Sequence, residues 1–118
     1  MYKDIRGTLI KRKITKNDEF KKVFLEGKRI ESNNLTLFFL RNRYKFNRLG
    51  VIVKKEIGKA VTRNKTKRKI REAYRRINEK LFQGYDIIII ANKSIIELDF
   101  FEIYNELESL FTKKRLLA

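Results

Sequence analysis

Four consecutive isoleucines, Ile87 to Ile90, inside the apolar run Tyr85 to Ala91, set the strongest constraint on what this chain can become. Side chains of a strand alternate between two faces, so an unbroken apolar run of this length suits a strand covered on both sides. The other segments of the 118 residues have to supply those covering layers. That length favours one domain over two.

The flanking segments read as follows. Residues 1–13 form a basic arm expected to be flexible, and residues 14–118 form the single domain. Thr15 is the expected N-cap of a first helix over about Lys16 to Glu26, with Asp18 three residues on. Phe20, Val23 and Phe24 follow at helical spacing, and Gly27 closes the segment. Leu35 to Leu40 and Gly50 to Lys54 read as strands, separated by the polar, basic connection Arg41 to Leu49; Arg29 to Ser32 can add a short edge strand. A long helical stretch spans about Lys59 to Leu81 and ends near Gly84. A final helix is capped by Asp99, with Glu102 closing a capping box. Phe100, Ile103, Tyr104, Leu107, Leu110 and Phe111 form its apolar stripe, and Glu102, Glu106 and Glu108 are expected to face solvent. The order α-β-β-α-β-α, with one optional extra strand, implies an α+β chain folded as an α/β sandwich, its helices packed on a small central sheet.

Charge then narrows function. Thirty Lys and Arg against fourteen Asp and Glu give a formal +16, a field that attracts polyanions. With 42% hydrophobic residues, nine of them Phe, the chain can also bury a core and is not a disordered basic tail. Cys and His are both absent, which removes disulfides, thiolate ligands, the commonest general base and the commonest transition-metal ligand. No apolar run reaches the roughly 18–20 residues of a membrane span, and Met1 to Lys13 lacks the apolar stretch of a secretory signal. A cytoplasmic protein without a membrane partner is the expectation.

Half of the excess charge sits in one place. Residues 59–76, KAVTRNKTKRKIREAYRR, hold nine Lys or Arg and one acid, Glu72, a net +8. At about 100° per residue, Asn64, Lys67, Arg68, Arg71 and Arg75 fall within one stripe about 100° wide. Ile70, Ala73, Tyr74, Ile77 and Leu81 fall on a neighbouring face centred about 120° away. The apolar face can dock on the sheet while the cationic one stays open. Like charges at i,i+4 repel by a few tenths of a kcal/mol per pair. A phosphate backbone offsets that repulsion, because Arg forks match its oxygens and Lys adds a flexible point charge. Solvated helix faces usually mix signs, and this one barely does.

Phe20 and Phe24 lie one turn apart and Phe38 sits mid-strand. Rings so spaced most often pack into a core. They are also the side chains on which single-stranded RNA stacks its bases.

Residues 50–76, GVIVKKEIGKAVTRNKTKRKIREAYRR, closely resemble the signature region of the bacterial ribonuclease P protein subunit, in which a strand feeds a lysine-rich turn and then a helix with an Arg-Asn-Arg type motif. Here that motif reads Arg63, Asn64, Lys65, followed by Lys67, Arg68 and Arg71. Asp18-Glu19-Phe20, Phe24 and Gly27 resemble the family's first helix. The Tyr85-Asp86 strand and the closing helix extend the likeness over nearly the whole chain. Lys65 stands where many members have Arg and loses a bidentate fork. Phe38 stands where some members have Tyr and loses a hydroxyl.

The resemblance implies a sandwich with a left-handed β-α-β crossover, a fold the family shares with one domain of a small-subunit ribosomal protein. It also implies a ribonucleoprotein endonuclease for tRNA processing, in which the RNA subunit and its Mg2+ ions carry the hydrolysis and the protein has no catalytic residue. The implied partners are the ribonuclease P RNA and precursor tRNA, with no protein partner. Arg63, Asn64, Lys65, Lys67, Arg68, Arg71 and Arg75 would face the RNA subunit. Phe20, Phe24, Phe38, Lys54, Lys55, Lys59 and Lys93 would line a cleft for the 5′ leader of the precursor. Two other readings stay open on composition alone: a structural ribosomal protein, and a nuclease using carboxylates such as Asp86 or Glu72, which have no acidic neighbour in sequence.

Overall fold

A computed structural model describes residues 12–118, together with the backbone of two short antiparallel strands, β1 (Tyr2–Lys3) and β2 (Leu9–Ile10). The other arm residues lie outside the described ones, and so does most of the expectation of a flexible arm. Arg12 and Lys13, counted with that arm, are held: the Leu49 N–H donates to the Arg12 carbonyl at 3.1 Å and the Ile14 N–H to the Leu49 carbonyl at 3.0 Å.

The remaining elements are α1 (Asn17–Glu26), β3 (Lys28–Glu31), β4 (Leu35–Arg41), β5 (Arg48–Val53), α2 (Ala60–Asn78), β6 (Tyr85–Ala91) and α3 (Phe100–Lys113), with short 3-10 turns at Lys55–Ile57 and Lys93–Glu97. The optional edge strand is real. The isoleucine run becomes β6, which occupies the interior of a sheet ordered β3-β4-β6-β5. It pairs antiparallel with β4 and parallel with β5, so β5-α2-β6 forms a parallel crossover unit in an α+β fold.

Alternation along the strands sorts residues between two layers. Leu35, Leu37 and Phe39 of β4, and Ile87, Ile89 and Ala91 of β6, face α2 and α3 in the main core. Ile70, Ala73, Tyr74 and Ile77 of α2 join them as the helical periodicity requires, with Leu81 just past its end. Ile88 points to the opposite face, under α1, with Ile14 and Val23. At about 25 cal/mol per Å2, each fully buried Ile or Leu contributes about 1.5–3 kcal/mol, so the α2/α3 layer dominates stability.

Several boundaries differ from expectation. Lys16 rather than Thr15 caps α1, and Glu19 rather than Asp18 closes the turn by accepting the Lys16 N–H at 3.4 Å. Gly27 ends that helix in extended backbone, not a left-handed one. Its absent Cβ would lie 2.5 Å from the Val23 carbonyl oxygen and 2.7 Å from that of Phe39, so glycine is needed for close approach. The helix α2 stops at Asn78, and Gly84 takes φ +102 to turn the chain into β6. Glu106 does not simply face solvent: it accepts from Ser32 Oγ at 2.5 Å and Asn34 Nδ2 at 2.7 Å, tying the β3–β4 turn to α3. Glu108 pairs with Lys80 at 3.3 Å. The Asp99–Glu102 capping box forms as expected.

Candidate nucleic-acid interface

The stripe on α2 is open. Asn64, Arg68 and Arg71 are exposed and Lys67 half-buried, and these four line a concavity of about 400 Å3 with Glu72 and Arg75. Among the described residues, Lys65, Lys67, Arg68 and Arg71 have no carboxylate partner. Glu72 is claimed by Arg75 at 2.6 Å and Arg76 at 3.5 Å, and the Arg75 guanidinium holds its carboxyl below the usual range. Arg75 is therefore shared between this ion pair and the open face. Arg63 is half-buried and donates to the Gly58 carbonyl at 3.2 Å, bracing the turn into the helix, while Lys65 is exposed beside it.

Helix polarity sharpens the point. The first turn of α2 holds no acid, and its cap Lys59 makes no side-chain hydrogen bond to it. Arg63 and Lys65 thus add positive charge near the end where the helix dipole is already positive. That arrangement is unfavourable alone and suits an anion, since free N–H groups point the same way.

On the opposite sheet face, α1 leaves a groove. Register places Phe38 beside Ile88 and Ile88 beside Gly50 in one row across the sheet. The Phe20 ring lies over Gly50: a Cβ there would fall 2.7 Å from the ring edge, so glycine makes the seat. Phe24, 37% exposed, meets Phe38 edge-to-face with centroids 5.0 Å apart. The next row, Ile52 and Ile90, is half-buried and continues the apolar floor. At the groove's end Lys54 and Lys93, both exposed, line a shared concavity of about 300 Å3. Lys55 and Lys59 are exposed on the turn before α2 and do not share it. The structure thus unites Phe20, Phe24 and Phe38, unites Lys54 with Lys93, and leaves Lys55 and Lys59 on the way to the cationic helix.

What sequence reading missed is the clamp that holds α1 in place. Arg48 of β5 grips Asp86 of β6 through Nε at 2.8 Å and Nη2 at 2.6 Å, and reaches Glu19 of α1 with Nη1 at 2.8 Å. Asn42 adds a bond to Asp86 at 2.9 Å, and the guanidinium lies 4.7 Å from the Tyr44 ring centre. Hydrogen bonding by Arg48 lowers the Glu19 pKa, and Asp86 and Glu19 together raise that of Arg48. The visible signal was Asp86 at the head of an isoleucine run, a charge that has to find a partner when buried. The two carboxylates of the nuclease reading, Asp86 and Glu72, are therefore both held by arginines on separate elements.

A four-stranded sandwich with an open cationic helix on one side and an aromatic groove on the other defines a small basic α+β protein. The family model described as Ribonuclease P matches residues 10–115, and the chain belongs to that family. The ribonuclease P protein component of Clostridium botulinum (strain 657 / Type Ba4) is 43% identical over 102 residues, 86% of this chain and 92% of the relative. That of Alkaliphilus oremlandii is 38% identical over 105 residues, 89% and 92% of the two chains. Among solved structures, the RNase P protein of Staphylococcus aureus superposes with a TM-score of 0.83 at 29% identity, covering 91% of this chain and 98% of that one. The Thermotoga maritima protein gives 0.79 at 32%, covering 90% and 98%. Membership places the chain in tRNA processing, as a protein component of an endoribonuclease complex.

Proposed function

We propose that this protein binds the RNA subunit of ribonuclease P through the open face of α2 and holds the 5′ leader of precursor tRNA in the groove beside α1. The observation that carries the reading is the run Lys65, Lys67, Arg68 and Arg71, exposed or half-exposed without carboxylate partners on the helix of highest charge density. Arg71 and Arg68 fork onto phosphates, Lys67 adds point charge, and Asn64 offers both a donor and an acceptor. In the groove, Phe20, Phe24 and Phe38 give faces and edges on which unpaired bases stack, and Lys54 and Lys93 meet the backbone at its end.

The RNA subunit with its magnesium ions supplies the hydrolysis that removes the leader and leaves the mature 5′ end. The protein's share is positioning and charge neutralisation. Among the described residues no three carboxylates converge. No described helix is long and apolar enough to cross a membrane.

Reconstitution with a bacterial ribonuclease P RNA tests this. The protein should lower the magnesium needed for cleavage at low salt and should tighten binding of leader-bearing precursor over mature tRNA. No change in either quantity defeats the proposal.

A further inference from the structure

Outside the α2 stripe, the turn that follows α3 carries an oddity. Arg115 has φ +56, the left-handed region where glycine sits without strain. Its surroundings explain why such a residue is needed: the Leu116 N–H donates to the Phe111 carbonyl at 3.0 Å and the Arg115 N–H to the Thr112 carbonyl at 3.0 Å, the paired bonds of a Schellman turn. Glycine would serve that turn with less strain. An arginine stands at a position that disfavours it, which makes its side chain the place to look further.

Arg115 opens onto a concavity of about 320 Å3 that also takes in Lys28, Arg41, Lys114 and Tyr85, with Glu26 as the lone acid on its wall. All four cations are exposed, and among the described residues none has a carboxylate partner. Arg41 lies over the Tyr85 ring, 5.4 Å from its centre, and stays exposed. The cations come from three elements, the start of β3, the end of β4 and the turn after α3. Their convergence is thus a product of the fold and not of one charged run in sequence. Strands β3 and β4 form the sheet edge remote from β5, against which α2 packs.

We infer that Lys28, Arg41, Lys114 and Arg115 form a second phosphate-backbone contact for the ribonuclease P RNA, at the opposite edge of the sheet from α2. The inference rests on the RNA-binding reading given above. It adds an attachment point whose lining shares no residue with the α2 concavity. Four cations around one acid favour a polyphosphate strand, and the Tyr85 ring beneath Arg41 leaves room for a sugar or base edge.

The test exploits the strain. Arg115→Gly removes the charge while relieving the backbone, so its thermal midpoint should equal or exceed that of the parent. Binding of an in vitro transcribed bacterial ribonuclease P RNA should nevertheless weaken several-fold, and the log–log salt slope should fall by about 0.7–0.9, one phosphate contact. Arg115→Lys keeps the charge and should retain the parental slope. Arg68→Ala on α2 is measured alongside. If Arg68→Ala flattens the slope and Arg115→Gly leaves affinity and slope unchanged, the second contact is refuted and the α2 reading stands. If neither variant changes the slope, both fall. Should Arg115→Gly lose binding to polyglutamate but not to the RNA, the surface serves an acidic protein and the inference is wrong.

Discussion

Replacing Arg48 by methionine keeps most of the side chain's apolar bulk and deletes three charge-assisted bonds, of 2.8, 2.6 and 2.8 Å. The side chains of Arg48 and Asp86 are 11% and 10% exposed, so Asp86 would be left as a buried carboxylate supported only by Asn42 at 2.9 Å. Removing one partner of a buried pair costs about 3–5 kcal/mol. The surviving Asn42 bond, and a Glu19 side chain that is 27% exposed and can turn to water, place this case near the lower end, about 3 kcal/mol. For a domain of this size each kcal/mol moves Tm by about 3–5 °C, so Tm should drop by about 10–15 °C in a circular dichroism melt. The double variant Arg48→Met with Asp86→Leu should regain at least half of the loss, because a well-packed apolar pair needs no partner for a buried charge. Freed from Glu19, α1 should also hold Phe20 and Phe24 less firmly, and discrimination for leader-bearing precursor should fall in the single variant. A single variant costing under about 1 kcal/mol, or a double variant no more stable than the single, would show that the clamp does not anchor α1 as described.

Three further outcomes can be checked. Arg68→Ala should weaken RNA-subunit binding and flatten its log–log salt dependence by about 0.7–0.9 without altering the melt; an unchanged slope would mean the side chain meets no phosphate. Gly50→Ala should force the Phe20 ring from its seat, since the new Cβ would lie 2.7 Å from it, costing about 1–3 kcal/mol and lowering precursor discrimination while the α2 contact persists. Because Arg48 depresses the Glu19 pKa, the stability this pair contributes is complete above the ordinary glutamate value of about 4.3 and is lost as pH falls through the lower folded value. Glu19→Gln should therefore flatten that acid limb in equilibrium melts, and an identical limb in both proteins would exclude the effect.

Local periodicity made the skeleton readable. The isoleucine run suited an interior strand and became one, and α2 separates its apolar and cationic residues as a period of 3.6 requires. Capping by Asp99 was legible because cap and partner are three residues apart. Contacts between distant segments left no such trace. Glu106 meets Asn34 across 72 positions and Arg48 meets Asp86 across 38, and periodicity reports which face a residue occupies but not who waits there. The aromatic trio stayed ambiguous for the same reason: spacing could not say whether a second layer would seal over Phe24. The family resemblance, not the pattern, pointed to a groove.

Why the groove can exist follows from how unequally the two sheet faces are covered. Among the described residues, nineteen are buried in the cluster between sheet, α2 and α3, against three in the cluster beneath α1. One face thus carries nearly all of the apolar burial that offsets chain entropy. The other can leave Phe20, Phe38, Ile52 and Ile90 only partly covered, because α1 is held by the Arg48 clamp and not by a deep core of its own. A fully packed α1 would stabilise the fold further and close the groove between the helix and the sheet. The ion-paired clamp supplies position without filling space, which is what a helix forming one wall of an open groove requires.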